Sequence, residues 1–191
     1  MNAPRIDFSQ VELFKLRLPD VELLQRAGVL DGQRVELIEG VLIAVAPQYR
    51  AHSYTKNELC KRFWKVLEAL QSPLSAQTEV TVEITQETAP ESDIALTNAP
   101  MGDGYVPVAS VALAIEVADT SLRRDLGEKR DIYAAAGVGE YWVVDVNVSE
   151  VHRFADPRDG RFGRVEPPIP LGGDLASLTI PGLVISGEGI L

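Results

Sequence analysis

The 191-residue chain has one cysteine, Cys60, so it forms no internal disulfide, and no second thiol stands near it to build a zinc site. Cys60 is read as a packing residue. No run of about 18 apolar residues is present to span a bilayer, and the opening MNAPRIDFSQ lacks the basic-then-apolar pattern of a secretory signal. These absences point to a soluble protein of the cytoplasm. Positive charge is also scarce: 18 Lys and Arg face 28 Asp and Glu, for a formal net charge of −10. Such a balance repels nucleic acid at long range and counts against a non-specific DNA-binding module. It does not exclude a nuclease, because a carboxylate site for divalent cations is itself acidic until the cation binds. There is no repeat, low-complexity tract or Gly/Ser linker, and 46% hydrophobic with 24% charged residues is a globular balance. One domain over residues 1–191 is expected.

Local pattern divides the chain into elements. LPDVELLQRAG reads as a short helix with Asp20 as N-cap and Gly28 as stop. RVELIEGVLIAVAP reads as two strands joined by a tight turn at Glu39-Gly40. From Arg50 to Leu70, Thr55, Leu59, Phe63, Val66 and Leu70 recur at helical spacing. Strands are expected at 79–84 and around Asp93 to Leu96, and the almost continuously apolar Val111 to Ala118 reads as a central strand covered on both faces. A helix from about Ser121 to Ala136 ends at Gly137, followed by the strand EYWVVDV and a further strand VHRFAD. Strand, helix, strand in this order implies a right-handed crossover and a mixed α/β sheet. The tail, with PPIPLGG and SLTIPGL, is expected to form short strands and turns that close an edge.

One charge stands in the wrong place. At about 100° per residue, Leu122, Leu126, Ile132, Tyr133 and Ala136 share a helix face, and Lys129 falls in the middle of it, with Asp125 one turn earlier at its edge. A core-facing lysine needs a partner, since an unpaired buried charge costs several kcal/mol (on the order of 3–5) or gives up its proton. It either snorkels, pairs structurally with Asp125, or serves a site. Glu116 interrupts the apolar run VALAIEV near the end of its strand, where α/β sheets place ligand sites; a buried structural ion pair is the alternative. Asp93 taken alone is a bland edge residue. Together, two carboxylates on neighbouring strands and a lysine suit phosphodiester hydrolysis: the acids hold a hard cation, and the lysine orients the nucleophile or offsets developing negative charge. His52 projects onto the apolar face of its helix, more as a core residue than a ligand. Glu36 alternates with Val35 and Leu37 and reads as solvent-facing. Asp145 reads as turn-forming.

The stretches VELIEGVLIAVAPQYRAH, PESDIAL and IEVADTSLRRDLGEKRDIYAAAGVGEYWVVDV, in that order, resemble the Uma-two family of endonucleases, a branch of the PD-(D/E)XK superfamily, over roughly residues 10–185. The resemblance implies a restriction-endonuclease-like α/β fold, a mixed β-sheet flanked by helices. It implies that Asp93 is the superfamily's first aspartate, Glu116 its second acid, and Lys129 a lysine displaced from the strand onto the following helix. Glu36 and His52 match polar positions near the same pocket. Ser92 stands where the family often has proline, and Ala118 stands where the superfamily motif places its lysine, which leaves that role to Lys129.

The combined expectation is a metal-dependent endonuclease: Mg²⁺ or Mn²⁺ on Asp93 and Glu116, Lys129 assisting water, DNA as substrate, and a homodimer by analogy with relatives that cut two strands. Two other classes stay open. One is a catalytically idle DNA-binding or assembly module of a mobile element or restriction system, and the other is a hydrolase of small phosphodiesters.

Overall fold

The computed structural model describes residues 12–191, so the opening segment MNAPRIDFSQ lies outside the described residues. The chain enters α1 (Leu18–Arg26) through Pro19, whose fixed φ suits a first helical turn. Because the helix starts at Leu18, Asp20 is not the N-cap but the third helical residue, where its carboxylate accepts the Arg17 amide at 2.8 Å. The hairpin β1 (Val35–Ile38) and β2 (Val41–Ala44) turns at Glu39 and Gly40, both at positive φ, as a two-residue turn requires. Gly40 is also needed for space: a Cβ there would lie 2.9 Å from the backbone of Lys15.

The long helix α2 (Arg50–Ala69) follows, then β3 (Ser75–Glu83), β4 (Glu91–Thr97), the short β5 (Val106–Pro107) and β6 (Val111–Ala118). The expected second long helix is three pieces: α3 (Leu122–Arg124), a π-helical turn over Asp125–Lys129, and α4 (Arg130–Ala135). After it come β7 (Glu140–Asp145), β8 (Glu150–Arg158), β9 (Arg161–Pro170), β10 (Asp174–Ala176) and β11 (Val184–Ser186). Seven strands form one sheet in the order β5-β3-β4-β6-β7-β8-β9, with β6 in the middle. β6 pairs parallel with β7 across the helical segment and antiparallel with β4, so the sheet is mixed, as expected.

Alternation along the strands sorts side chains to two covered faces. Ile94, Leu96, Leu113, Ile115, Val117 and Trp142 pack against Leu59, Phe63 and Leu67 of α2. Ala95, Ala114, Ala118, Tyr141 and Val143 meet Tyr133 and Ala134 of α4 on the other face, joined by Phe154 and Phe162. Each large side chain buried this way stabilises the fold by about 1.5–3 kcal/mol. The tail does more than close an edge. β10 and β11 form their own small sheet, and Leu171, Leu175, Leu183, Ile185 and Ile190 complete the core beside α2. Four donors from residues 177–179 fix this tail to the buried carboxylate of Glu140, which also accepts Trp142 Nε1.

Candidate active site

The antiparallel register Ile94↔Ile115 puts Asp93 and Glu116 across from each other at the next step, on the face that α3, the π turn and α4 cover. Both are buried, at 8% and 3% exposure. A carboxylate so placed must be bonded. Asp93 accepts the Val117 amide at 2.8 Å and the Gln48 side-chain amide at 3.1 Å, and His52 Nε2 lies 3.1 Å from its Oδ2. Burial pushes the Asp93 carboxyl up, but the hydrogen bond and charge of His52, the Val117 amide and Lys129 outweigh it, so Asp93 lies below its ordinary value and stays ionised.

Lys129 reaches this face from the π turn. Its ammonium donates to the Glu91 carbonyl at 2.7 Å and forms ion pairs with Glu36 Oε1 at 2.8 Å and Glu116 Oε2 at 3.1 Å. Its attraction to Glu116 and Glu36 overcomes desolvation and holds the ammonium charged, well above its ordinary value. Asp125 is not its ion-pair partner. Its carboxylate accepts Ser121 Oγ at 2.5 Å instead.

Glu116 has the opposite balance. Complete burial pushes its carboxyl well above the ordinary range, opposed by Lys129 and reinforced by the charges of Asp93, Asp125 and Glu36. Among these acids it is the one that most readily holds a proton, and Tyr133 OH lies 3.4 Å from its Oε1.

Glu36 corrects the expectation of a solvent-facing residue. It is 2% exposed, and besides Lys129 it pairs with Arg124 and accepts the Glu91 amide at 3.1 Å. Alternation failed here because β1 lays both faces against other elements. Leu37 packs with Leu18, Val21 and Ala89, while Glu36 turns into the polar cleft. Burial acts to raise the Glu36 carboxyl, but Lys129 and Arg124 more than offset it and hold it below its ordinary value.

His52 is buried on α2 as expected of a core position, yet it bonds Asp93 directly. A carboxylate offers only acceptors, so the ring donates from Nε2, which leaves Nδ1 buried with no partner. One turn on, Lys56 is 4% exposed and donates to Gln48 Oε1 at 2.6 Å and Glu79 Oε1 at 2.7 Å. Gln48 passes that contact to Asp93. Glu79 sits on β3 across from Asp93 with a φ of 54°, an uncommon conformation for a non-glycine residue that costs on the order of 1 kcal/mol. Lys56 was legible by the test that singled out Lys129, since it falls on the stripe of His52, Thr55, Leu59 and Phe63. Asp145 ends β7 and shapes the turn that follows, accepting the Asn147 amide at 2.9 Å.

Asp93, Glu116, Lys129, Glu36 and His52 all line one cleft of about 690 Å³ between the β2–α2 connection and the π turn. Among the described residues no three His, Cys, Asp or Glu side chains converge into a closed metal cluster. The donor set still fits a hard divalent cation, which commonly takes one or two carboxylates and completes its shell with water. Asp93 and Glu116 would supply the oxygen donors, and a cation there would offset the repulsion from Asp93, Asp125 and Glu36 that adds to burial in raising the Glu116 carboxyl.

A family model described as "Uma2: Putative restriction endonuclease" matches residues 19–187. No curated protein matches the chain in sequence. In structure it is similar to a crystallised "putative nuclease belonging to DUF820" from Anabaena variabilis ATCC 29413, with 16% identity and a TM-score of 0.63 over 83% of this chain and 89% of that one. At that identity the likeness is one of fold.

Proposed function

We propose that this chain, which belongs to the Uma2 restriction-endonuclease family and has the restriction-endonuclease-like fold, is a divalent-metal-dependent nuclease acting on DNA, with Mg²⁺ or Mn²⁺ on Asp93 and Glu116. The observation that carries this reading is the meeting of Asp93, Glu116 and Lys129 at the floor of one cleft, with Lys129 Nζ 3.1 Å from Glu116 and Asp93 held by the Val117 amide. A divalent cation held there supplies Lewis acidity to the phosphodiester and acidifies a water.

The chain's own groups account for the rest. Val117, Gln48 and His52 fix the orientation of Asp93, and His52 and the Val117 amide hold its carboxyl below the ordinary value. Lys129, with Nζ 3.1 Å from Glu116, presents a fixed positive charge where the phosphorane gathers negative charge, and it needs no reorganisation to do so. Glu36 and the Glu91 carbonyl hold that ammonium in place. Water adds to phosphorus, one P–O ester bond breaks, and the products are a phosphate monoester and an alcohol.

The lone thiol of Cys60 accords with a reducing cytoplasm, and no helix of the described residues is long and apolar enough to cross a membrane. A homodimer, implied by relatives that cut two strands, is checked by sedimentation.

A second reading draws on the same bonds. Lys129 is already engaged by three protein oxygens, which suits a clamp in an idle DNA-binding or assembly module as well as a catalytic group. Incubation with Mn²⁺ and plasmid, single-stranded DNA or a small chromogenic diester separates the readings. Cleavage of DNA supports the nuclease, cleavage of the small diester alone points to the small-substrate hydrolase, and no cleavage of any substrate points to the idle module.

A further inference from the structure

The floor of the cleft is accounted for by Asp93, Glu116 and Lys129, but the wall from Ile43 to Tyr49 has no part in that chemistry beyond Gln48. This wall is mostly apolar and ends in the ring of Tyr49, which is 64% exposed. Tyr49 lines the same cleft as Asp93 and directly follows Gln48, which donates to Asp93. An aromatic ring left in water in such a cleft offers a face on which any base can stack. α2 begins just after it with no side-chain cap and no acidic residue in its first turn, so a phosphate next to a stacked base meets donors.

Charge on the opposite wall limits what such a ligand can be. Lys129 and Arg124 are committed to Glu36, and among the described residues Arg123 is the cleft-lining cation outside any ion pair. Duplex recognition rests on several phosphate contacts spread over a basic surface, and this chain carries a net charge of −10. A cleft of about 690 Å³ is also on the scale of a single bound small molecule.

We infer that the cleft takes an unpaired DNA strand, with one base stacked on Tyr49 and the adjoining phosphodiester over Asp93 and Glu116. This inference rests on the nuclease reading of the cleft and names its substrate class. Stacking, rather than counterion release, then supplies most of the affinity.

The test is binding of a short oligodeoxynucleotide carrying 2-aminopurine, single-stranded or annealed, to the full chain in EDTA so that nothing is cut. Fluorescence and anisotropy are read for the wild type, Tyr49→Ala and Tyr49→Phe. The single strand is expected to bind about ten-fold more tightly than the duplex and to be quenched. Tyr49→Ala is expected to weaken it by about ten-fold and abolish quenching, and Tyr49→Phe to retain both. The affinity should fall with salt at a logarithmic slope of about −0.7 to −1.4, one or two phosphates. An exposed position makes an unchanged melting temperature the check on folding. No binding of the single strand, equal or tighter binding of the duplex, an indifferent Tyr49→Ala, or a slope of many phosphates overturns the inference. The two readings fail separately. A chain that stacks the strand in EDTA but cuts nothing in Mn²⁺ loses the nuclease reading alone, whereas one that cuts duplex equally well with alanine at position 49 loses only this one.

Discussion

Lys129 and Glu36 meet with 2.8 Å between Nζ and Oε1, although one belongs to the π turn before α4 and the other to the first strand of the fold. Glu36 also holds Arg124, so a single buried carboxylate ties the β1–β2 hairpin to the helical segment that carries the lysine. Glu36→Ala leaves two cations facing a low-dielectric pocket without their anion. A loss of about 3 kcal/mol in chemical denaturation is expected. A loss within about 0.5 kcal/mol, the range of an ordinary surface change, would mean that water replaces the carboxylate and that the tie is not structural.

The acids make opposite contributions to stability as pH changes. Glu36 lies below its ordinary value when folded, so its contribution is present above the usual carboxylate range and is lost as pH falls through its folded value. Glu116 lies well above, so its contribution is full at acid pH and is lost as pH rises through its folded value. Glu116→Gln mimics the protonated form. Its melting temperature is expected to exceed the wild type's above that pH and to converge with it in acid; a gap that instead widens in acid reverses the assignment.

Mn²⁺ is expected to raise the melting temperature of the wild type, by about 2.7 kcal/mol of stability at one hundred times the dissociation constant. The double change Asp93→Ala, Glu116→Ala should abolish the response. An unchanged response would put the metal elsewhere.

The contacts behind Asp93 should matter without touching metal. Lys56→Met keeps the stem but disconnects Gln48 from Glu79, and support of this kind typically changes metal affinity by about 10–100-fold. His52→Ala removes a direct bond to Asp93 and should lower both stability and Mn²⁺ affinity. Titration calorimetry beside thermal melts reads the two apart, and a loss of stability with affinity intact would return His52 to a purely packing role.

The strand Val111–Ala118 and the helix α2 were legible because their apolar periods are long and uninterrupted, whereas β9, with exposed residues along most of its length, gave no such period. Lys129 and Glu116 were legible as charges at positions the period marks as buried, and the structure brings them into contact. Glu36 was not, because a four-residue strand packed on both faces gives no alternation to read. The π turn was not, since one widened turn leaves the helical pattern on either side intact. Gln48 lies in a loop, where no period exists to make its inward turn visible.

Lys129→Met tests the central claim most directly. Because Glu36 and Glu116 both lose a partner, some loss of stability is expected on either account, so melting alone does not decide. The deciding measurement is Mn²⁺-dependent DNA cleavage per folded molecule, with melting recorded on the same preparation of wild type and variant. Loss of a fixed charge that acts on the transition state is expected to lower the rate by about 10²–10³-fold while the variant remains folded. A folded Lys129→Met chain that cuts DNA at the wild-type rate would contradict the assignment.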